Sequence, residues 1–110
     1  MDDPQDVGPE AAARMLAEGV MLLDVREPYE WAAGHVEGAV HVPLADLTLE
    51  HVPAGTRVVV VCRVGSRSAS VATALRRNGY DAVNLAGGMY AWAGADLPFV
   101  DATGAPGEIV

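Results

Sequence analysis

Lysine is absent from this chain, cysteine occurs once, and no apolar run is long. The scarce cysteine and the short apolar runs each exclude something. A lone Cys62 forms no internal disulfide, and with only His35, His41 and His51 scattered elsewhere it makes a poor basis for a structural zinc site. No apolar run approaches the ~20 residues that a helix needs to cross a bilayer. The opening Met1-Asp2-Asp3-Pro4 is acidic where an export signal would be basic. The expected compartment is therefore the cytoplasm, where a single thiol stays reduced. The missing lysine carries little mechanism of its own.

What is present describes one soluble domain. A chain of 110 residues that is 51% hydrophobic fits a single core, burying roughly two-thirds of its unfolded surface. The net charge of −8 disfavours nucleic acid or an anionic membrane as a partner. That charge is unevenly spread. Residues 51–80 hold no Asp or Glu but carry Arg57, Arg63, Arg67, Arg76 and Arg77, a local +5 that leaves −13 for the rest. Arg76 and Arg77 fall in the last turn of a predicted helix, where cations complement the dipole. Arg63 and Arg67 flank the cysteine loop instead.

Neither internal repeats nor interdomain linkers are visible. Residues 1–8 are expected to be a flexible N-terminus, 9–100 the folded domain and 101–110 a flexible C-terminal tail. Pro9 suits the first turn of a helix that runs through residues 11–18 and stops at Gly19. Strands are predicted at 20–25, 39–42, 57–61 and 82–85. Further helices are predicted at 28–33, 44–50 (a weak one), 66–78 and 88–92. Short strands alternating with helices predict an α/β domain with a central, mostly parallel sheet and helices on both faces. In such sheets the working residues lie at the carboxyl ends of strands, where Cys62, Asp24 and Arg26 fall.

Cys62 follows Val58-Val59-Val60-Val61 and opens Cys62-Arg63-Val64-Gly65-Ser66-Arg67-Ser68. Three features of that loop favour a thiolate. The helix beginning near Ser66 offers free N–H groups and a positive dipole end. The segment 63–68 can turn its N–H groups inward as an anion nest, with Gly65 allowing the tight curve. Arg67 and Arg63 add full charges. A thiolate is a nucleophile, whereas a thiol is a poor one. Asp24, Arg26 and His35 are expected to support the site structurally, because polar groups at strand ends usually orient loops. His41 and His51 are ordinary, and Trp92 belongs to the core. Gly87-Gly88 is expected where backbone approaches the cysteine loop closely.

Loop length separates chemistries. Tyrosine-phosphatase-like enzymes place five residues between Cys and Arg, and here four separate Cys62 from Arg67. A shorter cradle suits a single sulfur atom better than a phosphate or arsenate ester. The chain resembles a single-domain rhodanese, a sulfurtransferase, over residues 9–98. The resemblance rests on four blocks in order. They are Leu23-Asp24-Val25-Arg26-Glu27; Gly34-His35-Val36-Glu37-Gly38-Ala39 with Val42-Pro43; the Cys62 loop; and Asn84-Leu85-Ala86-Gly87-Gly88 with Ala91-Trp92.

The resemblance implies five parallel strands flanked by helices, and ping-pong sulfur transfer without metal or organic cofactor. Cys62 would take a sulfane sulfur from a small anionic donor such as thiosulfate, and the loop residues Arg63, Val64, Gly65, Ser66, Arg67 and Ser68 would bind that donor. A persulfide on Cys62 would pass its sulfur to cyanide, a thiol or an acceptor protein. With no second cysteine, the acceptor must lie outside the chain. Two rivals are a non-catalytic regulatory or sulfur-carrier module of the same fold, and a small phosphatase or arsenate reductase of related fold.

Overall fold

Four consecutive valines build the centre of the sheet. The computed structural model describes residues 5–110, and its central strand β4 (Arg57–Val61) has Val58, Val59, Val60 and Val61 all at 0% exposure. Successive strand side chains point to opposite faces. Val58 and Val60 therefore join Leu23, Val25 and Ala82 on one face, under Val71, Ala72 and Leu75 of helix α3 (Ser66–Arg77). Val59 and Val61 join Leu22, Val83 and Leu85 on the other, under Ala12 of α1 (Pro9–Ala17) and Met89 and Trp92 of α4 (Gly88–Gly94).

The remaining elements are β1 (Asp6–Val7), β2 (Met21–Asp24), α2 (Pro28–Ala33), β3 (Val40–His41) and β5 (Asp81–Leu85). The pairings among these strands are parallel, in the order β1-β5-β4-β2-β3. This is the α/β architecture with a parallel sheet that the sequence predicts, and it has the five strands that the resemblance implies. No described helix is long and apolar enough to cross a membrane.

Three local expectations change. First, the N-terminal segment supplies a strand: Asp6–Val7 extends the sheet through Asn84 N–H to the Gln5 carbonyl at 2.9 Å and Ala86 N–H to the Val7 carbonyl at 2.8 Å. Two residues are too few to leave a periodic pattern, so the open edge of β5 decides this strand. Residues 1–4 of the same expected N-terminus lie outside the described residues. Second, the weak helix at 44–50 is two separate 3₁₀ turns, Leu44–Asp46 and Leu49–His51, divided where Leu47 and Thr48 turn extended.

Third, residues 101–110 are docked rather than a free tail. His35 and Val100 exchange two backbone hydrogen bonds at 2.8 Å, Ala102 N–H reaches Ala32, and Glu108 N–H reaches the Ala33 carbonyl at 2.8 Å. Ile109 packs on the α1–α4 side of the core. The Asp101 carboxylate folds the segment back by accepting from Thr103 N–H at 2.8 Å, Thr103 Oγ1 at 2.6 Å and Ala105 N–H at 3.1 Å. An apolar residue near the end and complementary backbone on α2 outweigh the polar, glycine-rich composition.

Gly34 makes this docking possible. Its φ of −176° suits any residue, but a Cβ there would collide with the Glu108 carbonyl. Gly34→Ala should therefore cost about 1–3 kcal/mol, the usual range for overpacking. It should also speed hydrogen exchange at the Glu108 amide while β4 amides stay protected. Wild-type protection at Glu108 in that variant would refute the steric account.

Candidate active site

Cys62 stands one residue beyond β4, and the backbone around it is gripped from two sides. The free N–H groups at the start of α4 take the loop carbonyls: Met89 N–H donates to the Cys62 carbonyl at 2.8 Å and Tyr90 N–H to the Arg63 carbonyl at 3.0 Å. Gly88, at φ +61°, lies so close that a Cβ would strike the Cys62 and Arg63 carbonyls. This is the close approach expected of the Gly87-Gly88 pair. On the other side Gly65, at φ +106°, caps α3 and turns the chain back over the sulfur.

The result is a ring of donors on Sγ. Gly65 N–H lies at 3.1 Å, Ser68 N–H at 3.4 Å and Ser68 Oγ at 3.2 Å. Ser68 occupies the first turn of α3, where N–H groups have no helical partner. Cys62 itself is 0% exposed. Burial pushes the thiol up, but donation from the Ser68 hydroxyl and from the N–H groups of Ser68, Gly65 and Arg67 outweighs it. The thiol therefore sits below its ordinary value.

The arginines sit differently from expectation. Arg67 turns its guanidinium to Glu30 of α2, with Nη1–Oε1 and Nη2–Oε2 both at 2.9 Å. Glu30 is buried, and Arg67 holds its carboxyl below the usual range although burial opposes this. Glu30 in return raises Arg67, with a smaller coulombic contribution from Cys62. Arg63 donates Nε–H to the Val110 carbonyl at 2.9 Å. Hydrogen bonds to Sγ among the described residues thus come from N–H groups and a hydroxyl. Both guanidinium groups are engaged elsewhere, Arg67 by the Glu30 carboxylate and Arg63 by the Val110 carbonyl. Val64 and Ser66 are exposed on the crown of the loop, while Gly65 and Ser68 are buried beneath it.

Asp24 and Arg26 find each other at the end of β2. Arg26 is 0% exposed and donates to Asp24 at 2.6–3.1 Å, to the Glu30 carbonyl at 3.3 Å and to the Gly34 carbonyl at 2.8 Å. It so fixes α2, which carries Glu30. His35 makes its contacts with Trp31 and is not among the donors to the sulfur. Its Nδ1 is 2.8 Å from the Trp31 carbonyl and its ring stacks on Trp31 at 3.8 Å, with His41 on the same indole at 4.7 Å.

Two residues were missed in the sequence. Glu30 was legible in part, since Glu27 and Glu30 have capping-box spacing and do form that box. Asn84, 5% exposed on β5, donates Nδ2–H to Asp6 at 3.0 Å and to the Gly65 carbonyl at 3.2 Å. A polar side chain inside an apolar strand was its signal, because a buried amide needs partners.

The Glu30–Arg67 pair has a definite pH signature. The folded-state carboxyl of Glu30 lies below its unfolded value, so its contribution is complete above that unfolded value, ~4.3. It is lost as pH falls through the lower, folded value. Glu30→Gln should cost about 1.5–3 kcal/mol at neutral pH, nearer the low end because Arg67 is 34% exposed. In denaturant titrations the gap to wild type should close below about pH 4. A gap that widened on acidification would contradict the pairing.

Comparison with known proteins agrees with this architecture. A model described as "Rhodanese-like domain" matches residues 8–95. A protein named sulfurtransferase from Allochromatium vinosum is 37% identical over 86% of this chain and 94% of its own. Thiosulfate sulfurtransferase GlpE of Pseudomonas entomophila is 33% identical over 84% of this chain and 87% of its own. The crystal structure of a rhodanese-like domain protein from Staphylococcus aureus superposes with a TM-score of 0.74 at 34% identity, covering 80% of this chain and 90% of that one. With the fold, the loop and these relatives in agreement, the chain belongs to the rhodanese-like domain family.

Proposed function

We propose that this protein is a sulfurtransferase that carries sulfane sulfur as a persulfide on Cys62. The observation behind this is the convergence of Gly65 N–H, Ser68 N–H and Ser68 Oγ on one sulfur atom. Such a ring favours the charged nucleophile and holds it still. Sulfurtransferase-named relatives that this chain matches over most of their length support the same chemistry.

Thiosulfate is the donor that the name of the Pseudomonas entomophila relative points to. The Cys62 thiolate attacks its outer sulfur, the donor S–S bond breaks, and sulfite leaves with the electron pair. Cys62 now bears a persulfide. An external thiol, cyanide or an acceptor protein attacks the outer sulfur, the Sγ–S bond breaks, and the thiolate is regenerated. No net oxidation or reduction is needed, and no group beyond the donor and acceptor takes part. Arg63 to Ser68 cradle the donor, while Asp24 and Arg26 hold the neighbouring elements in place. His35 supports α2 through Trp31. The buried sulfur suits a cargo of one atom, which argues against phosphate or arsenate esters. The lone thiol fits a reducing compartment such as the cytoplasm.

After exposure to thiosulfate, intact-protein mass spectrometry should find Cys62 heavier by one sulfur atom, and cyanide should remove it as thiocyanate. Cys62→Ser should abolish both. Failure of loading with every sulfane donor tried would sink the proposal in favour of a non-catalytic module. The pH midpoint of Cys62 alkylation should fall below the ~8.5 of a free thiol. Arg67→Ala should raise it, since the buried Glu30 carboxylate is then left unpaired near the loop.

A further inference from the structure

Beside Cys62, one proton faces two acceptors. Ser68 Oγ lies 2.5 Å from Asn84 Oδ1 and 3.2 Å from Cys62 Sγ, with the Gly65 carbonyl at 3.4 Å. A serine hydroxyl has a single proton to donate. The Asn84 amide is oriented by its other end. Its Nδ2 lies 3.0 Å from Asp6 Oδ1 and 3.2 Å from the Gly65 carbonyl, and both of those only accept. The NH₂ group must face them, so Oδ1 faces Ser68. That oxygen carries no proton, so the 2.5 Å contact competes with Sγ for the proton of Ser68. Ser68 is 0% and Asn84 5% exposed, so water is a poor substitute for either.

Two arrangements follow. With the hydroxyl turned to Asn84, Ser68 Oγ presents a lone pair to Sγ, which suits a thiol S–H and opposes a thiolate. With the hydroxyl turned to Sγ, the thiolate gains a donor and Asn84 Oδ1 is left buried without one. We propose that Asn84 is a positioning residue that competes with Cys62 for the Ser68 proton and so sets how readily the thiol ionises. This deepens the preceding reading and rests on Cys62 being the reactive thiol. In a persulfide the charge resides on the outer sulfur, Sγ no longer needs the proton, and the hydroxyl returns to Asn84. The register Asp6↔Asn84 extends the same chain of contacts to the edge strand β1.

Other charged groups stand around this cluster. They are Asp6 on β1, Arg67 of α3 with Glu30 of α2, Arg63 in the loop, and the paired Asp24 and Arg26 after β2. All remain when Asn84 and Ser68 are varied, so a shift that depends on both residues reports the shared proton.

The test is the pH profile of Cys62 alkylation in the full chain, for wild type, Asn84→Val, Ser68→Ala and the double variant. Valine suits an interior strand, and Asn84→Ala serves if Asn84→Val fails to fold. Removing the Asn84 acceptor should lower the midpoint by about half to one pH unit, the worth of one hydrogen bond. In the Ser68→Ala background the same change should shift nothing. An unchanged or raised midpoint in the single variant, or an equal shift in both backgrounds, would overturn the role of Asn84. A wild-type midpoint at or above that of a free thiol, or no sulfur loading, would instead overturn the sulfurtransferase reading.

Discussion

A cation with no exposure organises this end of the molecule. Burying the Arg26 guanidinium is costly unless its donors are matched, and stripping a partner from such a pair typically costs about 3–5 kcal/mol. Asp24 takes one side of the guanidinium, and the Glu30 and Gly34 carbonyls take the rest. Helix α2 is thereby tied to the end of β2. Its Glu30 carboxylate accepts the Glu27 N–H at 2.8 Å and grips Arg67 on the first turn of α3. From there the hold passes to the loop whose N–H groups face Cys62. The sulfur's environment is thus the last member of a line of matched polar contacts that begins at a buried arginine.

Charge at the site is less generous than the residue count implies. The acid-free stretch 51–80 has five arginines, but the fold brings carboxylates and carbonyls to them from elsewhere. Arg67 meets Glu30, Arg57 lies 3.4 Å from Asp81, and Arg76 donates to the Ala82 carbonyl at 2.9 Å. What remains close to Sγ is a set of backbone dipoles and one hydroxyl. Dipoles fixed by helix ends need no reorganisation when charge appears, which suits the sulfur transfer proposed for Cys62. Gly65 and Gly88 are what let two helix N-termini crowd one loop.

Much of this was legible in the chain. The valine run marked β4 to the residue, Pro28 and Gly34 bounded α2, and the cysteine, glycine and helix start marked the loop. Elements with a strong repeat or a turn residue announce themselves. Asp6–Val7, the docking of residues 101–110, and the splitting of 44–50 did not. Each depends on backbone partners distant in sequence rather than on a local pattern. Glu30 and Asn84 lay in plain view as residues, yet their partners Arg67 and Ser68 are 37 and 16 positions away.

By itself the sequence determined a parallel α/β sheet, a single thiol at the carboxyl end of its central strand, and a loop with four residues between Cys62 and Arg67. Those follow from period, turn chemistry and spacing, which are local. Only the tertiary structure decided which groups touch the sulfur. It turned Arg67 to Glu30, tied Arg63 to Val110, and set Ser68 between Cys62 and Asn84. Hydrogen bonds and ion pairs depend on ångström distances between segments far apart in the chain, and those distances exist only once the core has packed.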